Sequence, residues 1–153
     1  IINSNTYKDI MNKHGNFSDI LMMEYLEGQD YSVYVLADKG ESLVTIPFKR
    51  LKPKDGVSLV SEVDMNQYVI DYVKKIVKLF NLDWVVNIQL KLSPENKPLI
   101  YEINPRLAGS VILTKGADCD LLKYGLDNIL NKNIKINKPK RCKMIRYYTE
   151  VLV

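Results

Sequence analysis

The chain has 153 residues, a net charge of +4, 46% hydrophobic and 26% charged residues, which are the values of an ordinary globular domain. No apolar run approaches the roughly 20 residues needed to span a bilayer, and the opening IINSNTYKDI has no signal-peptide pattern. A membrane or secreted protein is therefore not expected, and a cytoplasmic location is. The opening also lacks an initiator Met, so the sequence reads as an internal piece of a longer polypeptide.

Basic residues gather in FKRLKPK (48–54) and KINKPKRCK (135–143), but acidic residues are dispersed elsewhere and no nucleic-acid motif is present. Nucleic acid is not expected as a partner. Cys119 and Cys142 form no CxxC pair and no zinc-spaced cluster with the single histidine, His14, so they read as two reduced thiols.

In chain order, SNTYKDIMNKH (4–14) reads as a short helix with Ser4 or Asn5 as its N-cap and Gly15 as its stop. His14 is then a helix C-terminal residue rather than a catalytic base. An apolar segment follows at 20–26 and ends at Glu27-Gly28. The β-rich runs 31–36 and 42–47, joined by ADKGE, predict a hairpin, and 49–56 reads as a basic loop. Between 65 and 80 the apolar residues Val69, Ile70, Val73, Ile76, Val77 and Phe80 recur with helical period, with Asp64 as N-cap and Asn81 beyond the end. Trp84, Val86, Ile88, Leu90 and Leu92 alternate as a strand, and SPENK turns the chain into a partner strand over 98–104. A last helix near 120–131 and a β-rich end, 144–153, complete the chain. The predicted class is α+β, with a largely antiparallel sheet and helices packed on one face.

The residues with chemical content lie on the second pair of strands. In NIQL (87–90), Asn87, Gln89 and Lys91 share a polar face. In YEINPRLAGS (101–110), the alternation puts Ile100, Glu102 and Asn104 on one face and Leu99, Tyr101 and Ile103 on the other. Antiparallel pairing brings Gln89, Glu102 and Asn104 within reach of each other if the register cooperates. Such oxygen donors suit Mg²⁺, which is usually bound together with substrate phosphates, and Arg106 can neutralise a transferring phosphoryl group. A second element is MMEYLEGQDYSV (22–33), where an extended segment offers backbone groups to an adenine edge and Asp30 can accept from ribose hydroxyls.

Taken together, MMEYLEGQDYSVYVLAD, NIQL, YEINPRLAGS and the closing RYYTEVLV resemble the ATP-grasp superfamily, in particular its carbamoyl-phosphate-synthase-like branch. The resemblance runs from about residue 20 to the end. It implies that residues 1–26 close a small lobe and 27–153 form the C-terminal lobe. It further implies that the backbone of Glu24, Tyr25 and Leu26 forms the adenine hinge and that Asp30 binds ribose. Gln89, Glu102 and Asn104 would hold Mg²⁺ or Mn²⁺ against ATP, Arg106 and Arg50 would serve catalysis, and Lys49 would contact phosphate. Gln89 stands where many members carry a carboxylate, and a neutral amide binds a second metal less strongly. The implied activity is an ATP-dependent carboxylate–amine ligase acting through an acyl phosphate, with a small carboxylate and an amine as substrates. A carbamoyl phosphate synthase large-chain segment, a related carboxylase and a non-catalytic nucleotide-binding module are the alternatives. No Gly-rich loop precedes the hinge, so the chain alone is expected to hold half a nucleotide cleft and to show little or no catalysis.

Overall fold

The computed structural model describes residues 4–14, 21–54, 56–147 and 149–150. The elements run α1 (Ser4–His14), β1 (Gln29–Asp38), β2 (Glu41–Lys54), β3 (Val57–Val63), α2 (Gln67–Leu79), β4 (Trp84–Leu92), β5 (Pro98–Asn104), α3 (Ile112–Gly116), α4 (Leu121–Ile129) and β6 (Lys143–Ile145). The six strands form one sheet in the order β5-β4-β1-β2-β3-β6, and every neighbouring pair is antiparallel. The α+β class and the antiparallel sheet are as the sequence predicts.

Central strand β1 organises the interior by its alternation. Tyr31, Val33, Val35 and Ala37 point to one side and pack with Val69, Val73, Ile76 and Val77 of α2 and with Val86, Ile88, Leu90 and Leu92 of β4. Tyr34 and Leu36 point to the other side and pack with Ile46, Phe48, Leu113, Leu121 and Tyr124. The helices are thus divided between the faces, α2 over one and α3 and α4 over the other, where the sequence put them all on one. The reason is that β1 is apolar on both faces, so each face needs its own cover.

Local chemistry explains most boundaries. The β1–β2 hairpin turns on Lys39 and Gly40, both at positive φ (47° and 82°), the two-residue geometry that matches strand twist. Helix α2 is rich in β-branched residues and is stabilised mainly by its buried stripe Val69, Ile70, Val73, Ile76 and Val77, each side chain contributing roughly 1.5–3 kcal/mol. Its N-cap is Asn66, whose side chain accepts from the amides of Tyr68 and Val69, rather than Asp64. Phe80 is the C-cap and is 57% exposed, so it leaves the apolar stripe. Asp120 caps α4.

Four stretches depart from the sequence reading. The basic loop expected at 49–56 is largely strand, because β2 continues to Lys54 and pairs with β3, which the sequence reading did not foresee. Residues 21–27, the apolar segment that leads to β1, form no regular element. The short helix α3 was also unforeseen, and the β-rich end reduces to β6 among the described residues. Gly15 and residues 151–153 lie outside those residues, as does Ile20.

Gly28 sets the entry into β1. Its φ is +112°, and a Cβ there would lie 2.1 Å from the Leu92 carbonyl oxygen. Both the conformation and the space demand glycine. Gly28→Ala is expected to destabilise the fold by about 3 kcal/mol, measured by urea unfolding; a loss within experimental error would show that the β1–β4 end can open without consequence.

Candidate functional site

The face of the sheet covered by α3 and α4 is apolar at one end and polar at the other. The polar end is built from Asp30 and Ser32 of β1, Arg50 of β2, Ser58 of β3, Asn87 and Gln89 of β4, and Tyr101, Glu102 and Asn104 of β5. Register places Gln89 directly opposite Glu102 and Asn87 directly opposite Asn104. The metal-ligand candidates are therefore brought together, as the sequence predicts. Glu102 is exposed.

One detail of β5 is corrected. Between the pairs Gln89–Glu102 and Leu90–Ile100 the register slips, leaving Tyr101 as the extra residue of a bulge. Ile100 and Ile103 both pack toward α2, while the Tyr101 hydroxyl joins the polar face. Strict alternation had put Ile100 with Glu102 and Tyr101 on the opposite side.

Arg50 is the centre of the site. Its side chain is only 8% exposed and pairs with the Asp30 carboxylate, Nη1 to Oδ2, at 3.0 Å. Nε donates to Ser58 Oγ at 2.7 Å and Nη2 to the Gly56 carbonyl at 2.9 Å. Nη1 also lies 3.2 Å from Gln89 Oε1. The Tyr101 hydroxyl stands 2.8 Å from Asp30 Oδ1 and 3.0 Å from Gln89 Oε1, and its one proton serves one acceptor at a time. Burial, followed by the Asp30 charge, pushes the Tyr101 phenol well above its ordinary range, so it remains protonated and donating. Both Asp30 oxygens thus already accept a bond, and Gln89 Oε1 faces a guanidinium and a phenol.

The remaining predicted residues are placed as follows. Arg106 is exposed just beyond β5, with Nη1 donating to the Leu107 carbonyl at 3.2 Å. Glu24 and Tyr25 are exposed and Leu26 half-buried in the irregular segment leading to β1. Lys49 is not part of the cluster. It is opposite Tyr31, on the α2 side of the sheet, where it pairs with Asp64 at 3.0 Å. Burial raises the Asp64 pKa, but hydrogen bonds from Tyr31 and Lys49 outweigh it and hold the carboxyl below its ordinary value.

Several site residues escaped the sequence reading. Ser32 accepts from Asn87 Nδ2 at 2.8 Å. Ser110 shares a 3.1 Å hydrogen bond with Tyr34. Arg146, just after β6, donates from Nη2 to the Gly109 carbonyl at 2.8 Å. Burial raises the Tyr34 pKa, and hydrogen bonding with Ser110, then the charges of the nearby Arg106 and Arg146, oppose that shift, so both cations act on this corner of the site. Asn87 lay on the polar face already identified, and Tyr101 within the YEINPR run. Arg146 opens the closing RYYTEVLV run, although no role was read for it, and no motif pointed to Ser58.

A polar sheet face carrying buried cationic charge beside one exposed carboxylate and amide oxygens is suited to polyphosphate and a divalent ion. Comparison with known proteins identifies the family. The family model described as ATP-grasp in the biosynthetic pathway with Ter operon matches residues 16–151. The chain belongs to the ATP-grasp family. This ATP-grasp chain is 28% identical over 129 residues to the carbamoyl phosphate synthase large chain of Caldanaerobacter subterraneus subsp. tengcongensis, covering 76% of this chain and 12% of that protein. In structure it is similar to the phosphoribosylaminoimidazole carboxylase ATPase subunit from Aquifex aeolicus, with a TM-score of 0.71, 15% identity, and coverage of 97% of this chain and 54% of that one. It is also similar to the L-amino acid ligase from Bacillus licheniformis, with a TM-score of 0.56, 15% identity, and coverage of 69% of this chain and 31% of that one. N5-carboxyaminoimidazole synthetase from Staphylococcus aureus complexed with ADP matches with a TM-score of 0.62, 13% identity, and coverage of 80% of this chain and 36% of that one. The ATP-grasp chain spans about half the length of the Aquifex subunit and a small part of the synthase. Among the described residues, no helix is long and apolar enough to cross a membrane.

The buried pair makes a direct prediction. Asp30→Ala leaves Arg50 charged, buried and without its carboxylate, and is expected to lower stability by about 3 kcal/mol. Chemical denaturation checks this; a loss below about 1 kcal/mol would mean that water reaches the guanidinium and replaces the pair.

Proposed function

We propose that this chain supplies the ATP- and Mg²⁺-binding face of an ATP-dependent carboxylate–amine ligase that works through an acyl phosphate. The observation that carries the reading is the register that sets Gln89 against Glu102 and Asn87 against Asn104 on the polar sheet face, with Arg50 and Arg106 as neighbouring cations. Membership of the ATP-grasp family supports ATP as the nucleotide, and the likeness to an L-amino acid ligase supports the reaction class.

The donor set fits a divalent ion. Glu102 is an exposed carboxylate, and the register sets the amide side chains of Gln89 and Asn104 beside it on the same face. Among the described residues no group of three or more His, Cys, Asp or Glu side chains forms a metal cluster, so the ion would be held by Glu102 with the amide oxygen of Asn104, and by Gln89 Oε1 once it turns from Arg50 and Tyr101. Such a set leaves room for phosphate oxygens as further ligands. A bound Mg²⁺ would offset charge on the phosphates and on the incoming carboxylate.

The chain's own groups then have distinct tasks. The backbone of Glu24, Tyr25 and Leu26 would meet the adenine edge. Asp30 retains free lone pairs that can accept from ribose while it anchors Arg50. Arg50 and Arg106 would stabilise charge as a carboxylate oxygen attacks the γ-phosphorus and the bond to the departing ADP oxygen breaks. The amine then attacks the acyl carbon, phosphate leaves, and the amine loses a proton. Lys49, on the other face, has no part in this scheme. A carbamoyl phosphate synthase segment is the second reading, favoured by the 28% identity to that large chain. Bicarbonate in place of an organic acid would distinguish it.

Calorimetric titration with ADP, with and without Mg²⁺, is the test. Binding is expected to tighten with Mg²⁺, and Glu102→Gln is expected to remove that gain, about tenfold or more, while the circular dichroism spectrum is unchanged. Magnesium-independent binding in the unsubstituted chain would remove Glu102, Asn104 and Gln89 as the metal set.

A further inference from the structure

One helix carries more apolar surface than the core uses. On α4, Leu121 and Tyr124 pack into the interior beneath the helix. Leu122, Leu126, Ile129 and Leu130 form a second stripe at the spacing i, i+4, i+7 and i+8. These four are 46%, 50%, 60% and 60% exposed. A lone exposed Leu is ordinary, but four half-exposed side chains in one row make a patch of roughly 400 Å², the size that marks an interaction surface.

The rim of the stripe narrows what can cover it. Leu122, Leu126 and Leu130 line a shallow groove of about 310 Å³, bordered by Asp120, Lys123, Asp127 and Lys132. Two cations and two anions balance, so the groove is neutral on a chain whose net charge is +4. Nucleic acid or an anionic lipid surface requires an excess of cations, which this face does not offer. The charges are also sorted by end. Asp120 is the N-cap of α4, and Lys132 lies just past the C-cap, Leu130. Lys123 is held by Asp127 at 2.8 Å. Lys132 stands 3.8 Å from the same carboxylate and is 61% exposed, so its ammonium can turn to another acceptor.

Such a face is its own complement. A two-fold axis through Leu126 exchanges Leu122 with Leu130, and exchanges the Asp120 end of α4 with the Lys132 end. The two antiparallel helices then meet along their i±4 rows, a common helix-packing class. Each Asp120 comes to the partner's Lys132, and each helix N-terminus lies beside a C-terminus, which their dipoles favour. We propose that the outer face of α4 is a two-fold contact between two copies of this chain, with Leu126 on the axis. The patch is about half of the ~800 Å² per partner of a standard interface, so the dimer is weak and concentration-dependent, with a Kd of roughly 10–500 µM.

Sedimentation velocity of the chain from about 5 µM to about 1 mM is the test. The average sedimentation coefficient is expected to rise along a monomer–dimer curve. Leu126→Asp and Leu126→Lys are each expected to remain monomeric with an unchanged circular dichroism spectrum, because like charges meet on the axis and the side chain is half exposed. An equimolar mixture of the two is expected to associate about tenfold or more tighter than either alone, a result that requires residue 126 to meet itself. Asp120→Asn keeps a capping acceptor but loses the charge, and is expected to weaken the dimer about twofold or more. Raising salt from about 50 to about 500 mM is expected to weaken the unsubstituted dimer more than this variant. A chain that stays monomeric at about 1 mM would overturn the proposal and leave the stripe to a different partner. A dimer that survives both Leu126 variants, or a mixture no tighter than its components, would overturn the assignment of this face.

Discussion

A single buried cation, Arg50, is the constraint around which the polar half of the molecule is arranged. Removing a guanidinium from water is unfavourable by several kcal/mol, and only a full set of acceptors offsets that. The set here comes from every strand of the sheet except β6. Asp30 belongs to β1, Ser58 to β3, Gln89 to β4 and Tyr101 to β5, with Arg50 itself on β2. Each strand must hold its register for the charge to be satisfied, so the network selects the pairing as well as decorating it. The bulge at Tyr101 follows the same logic, since it brings a phenol to the polar face that strict alternation would have turned toward α2.

The network also shapes what the face can bind. With the Arg50 guanidinium fixed beside Gln89 Oε1, the exposed negative charge of this cluster sits at Glu102, one strand further out. Nucleotide phosphates approaching this face would meet Arg106 as an accessible charge and Arg50 as a buried one. The rigid support is central strand β1, apolar on both sides for most of its length and covered by α2 on one face and by α3 and α4 on the other. Functional side chains project from its polar end, Asp30 and Ser32, while Tyr34 and Leu36 on the same face continue into the core. One strand therefore anchors both the interior and the site.

Much of this was legible wherever a short-range pattern carried it. The period-2 run from Trp84 to Leu92, the SPENK turn and the strand ending at Asn104 specify a hairpin by themselves, but the register set at the turn would place Gln89 opposite Tyr101, and it is the bulge there that brings Glu102 to Gln89. The 3.6-residue period did the same for α2. The reading failed where distance in sequence mattered. Residues 49–54 are basic and contain Pro53, so they resemble a loop until β3 supplies a partner. Lys49 and Arg50 are neighbours of the same charge, yet one faces Asp64 near α2 and the other faces Asp30 in the site. Alternation separates them only once β3 shows that the strand continues through both.

The sequence by itself determined the periodicities, the turn residues and the stock of donors and acceptors, because these depend on backbone stereochemistry and side-chain type over a few positions. It also determined which residues resemble an ATP-grasp site. Tertiary structure alone decided that Arg50 is buried and paired, that Tyr101 faces the site, and that Arg146 arrives beside Gly109 from the far end of the chain. Those outcomes are set by register and desolvation, which arise only when distant strands compete for the same hydrogen bonds and the same exclusion from water.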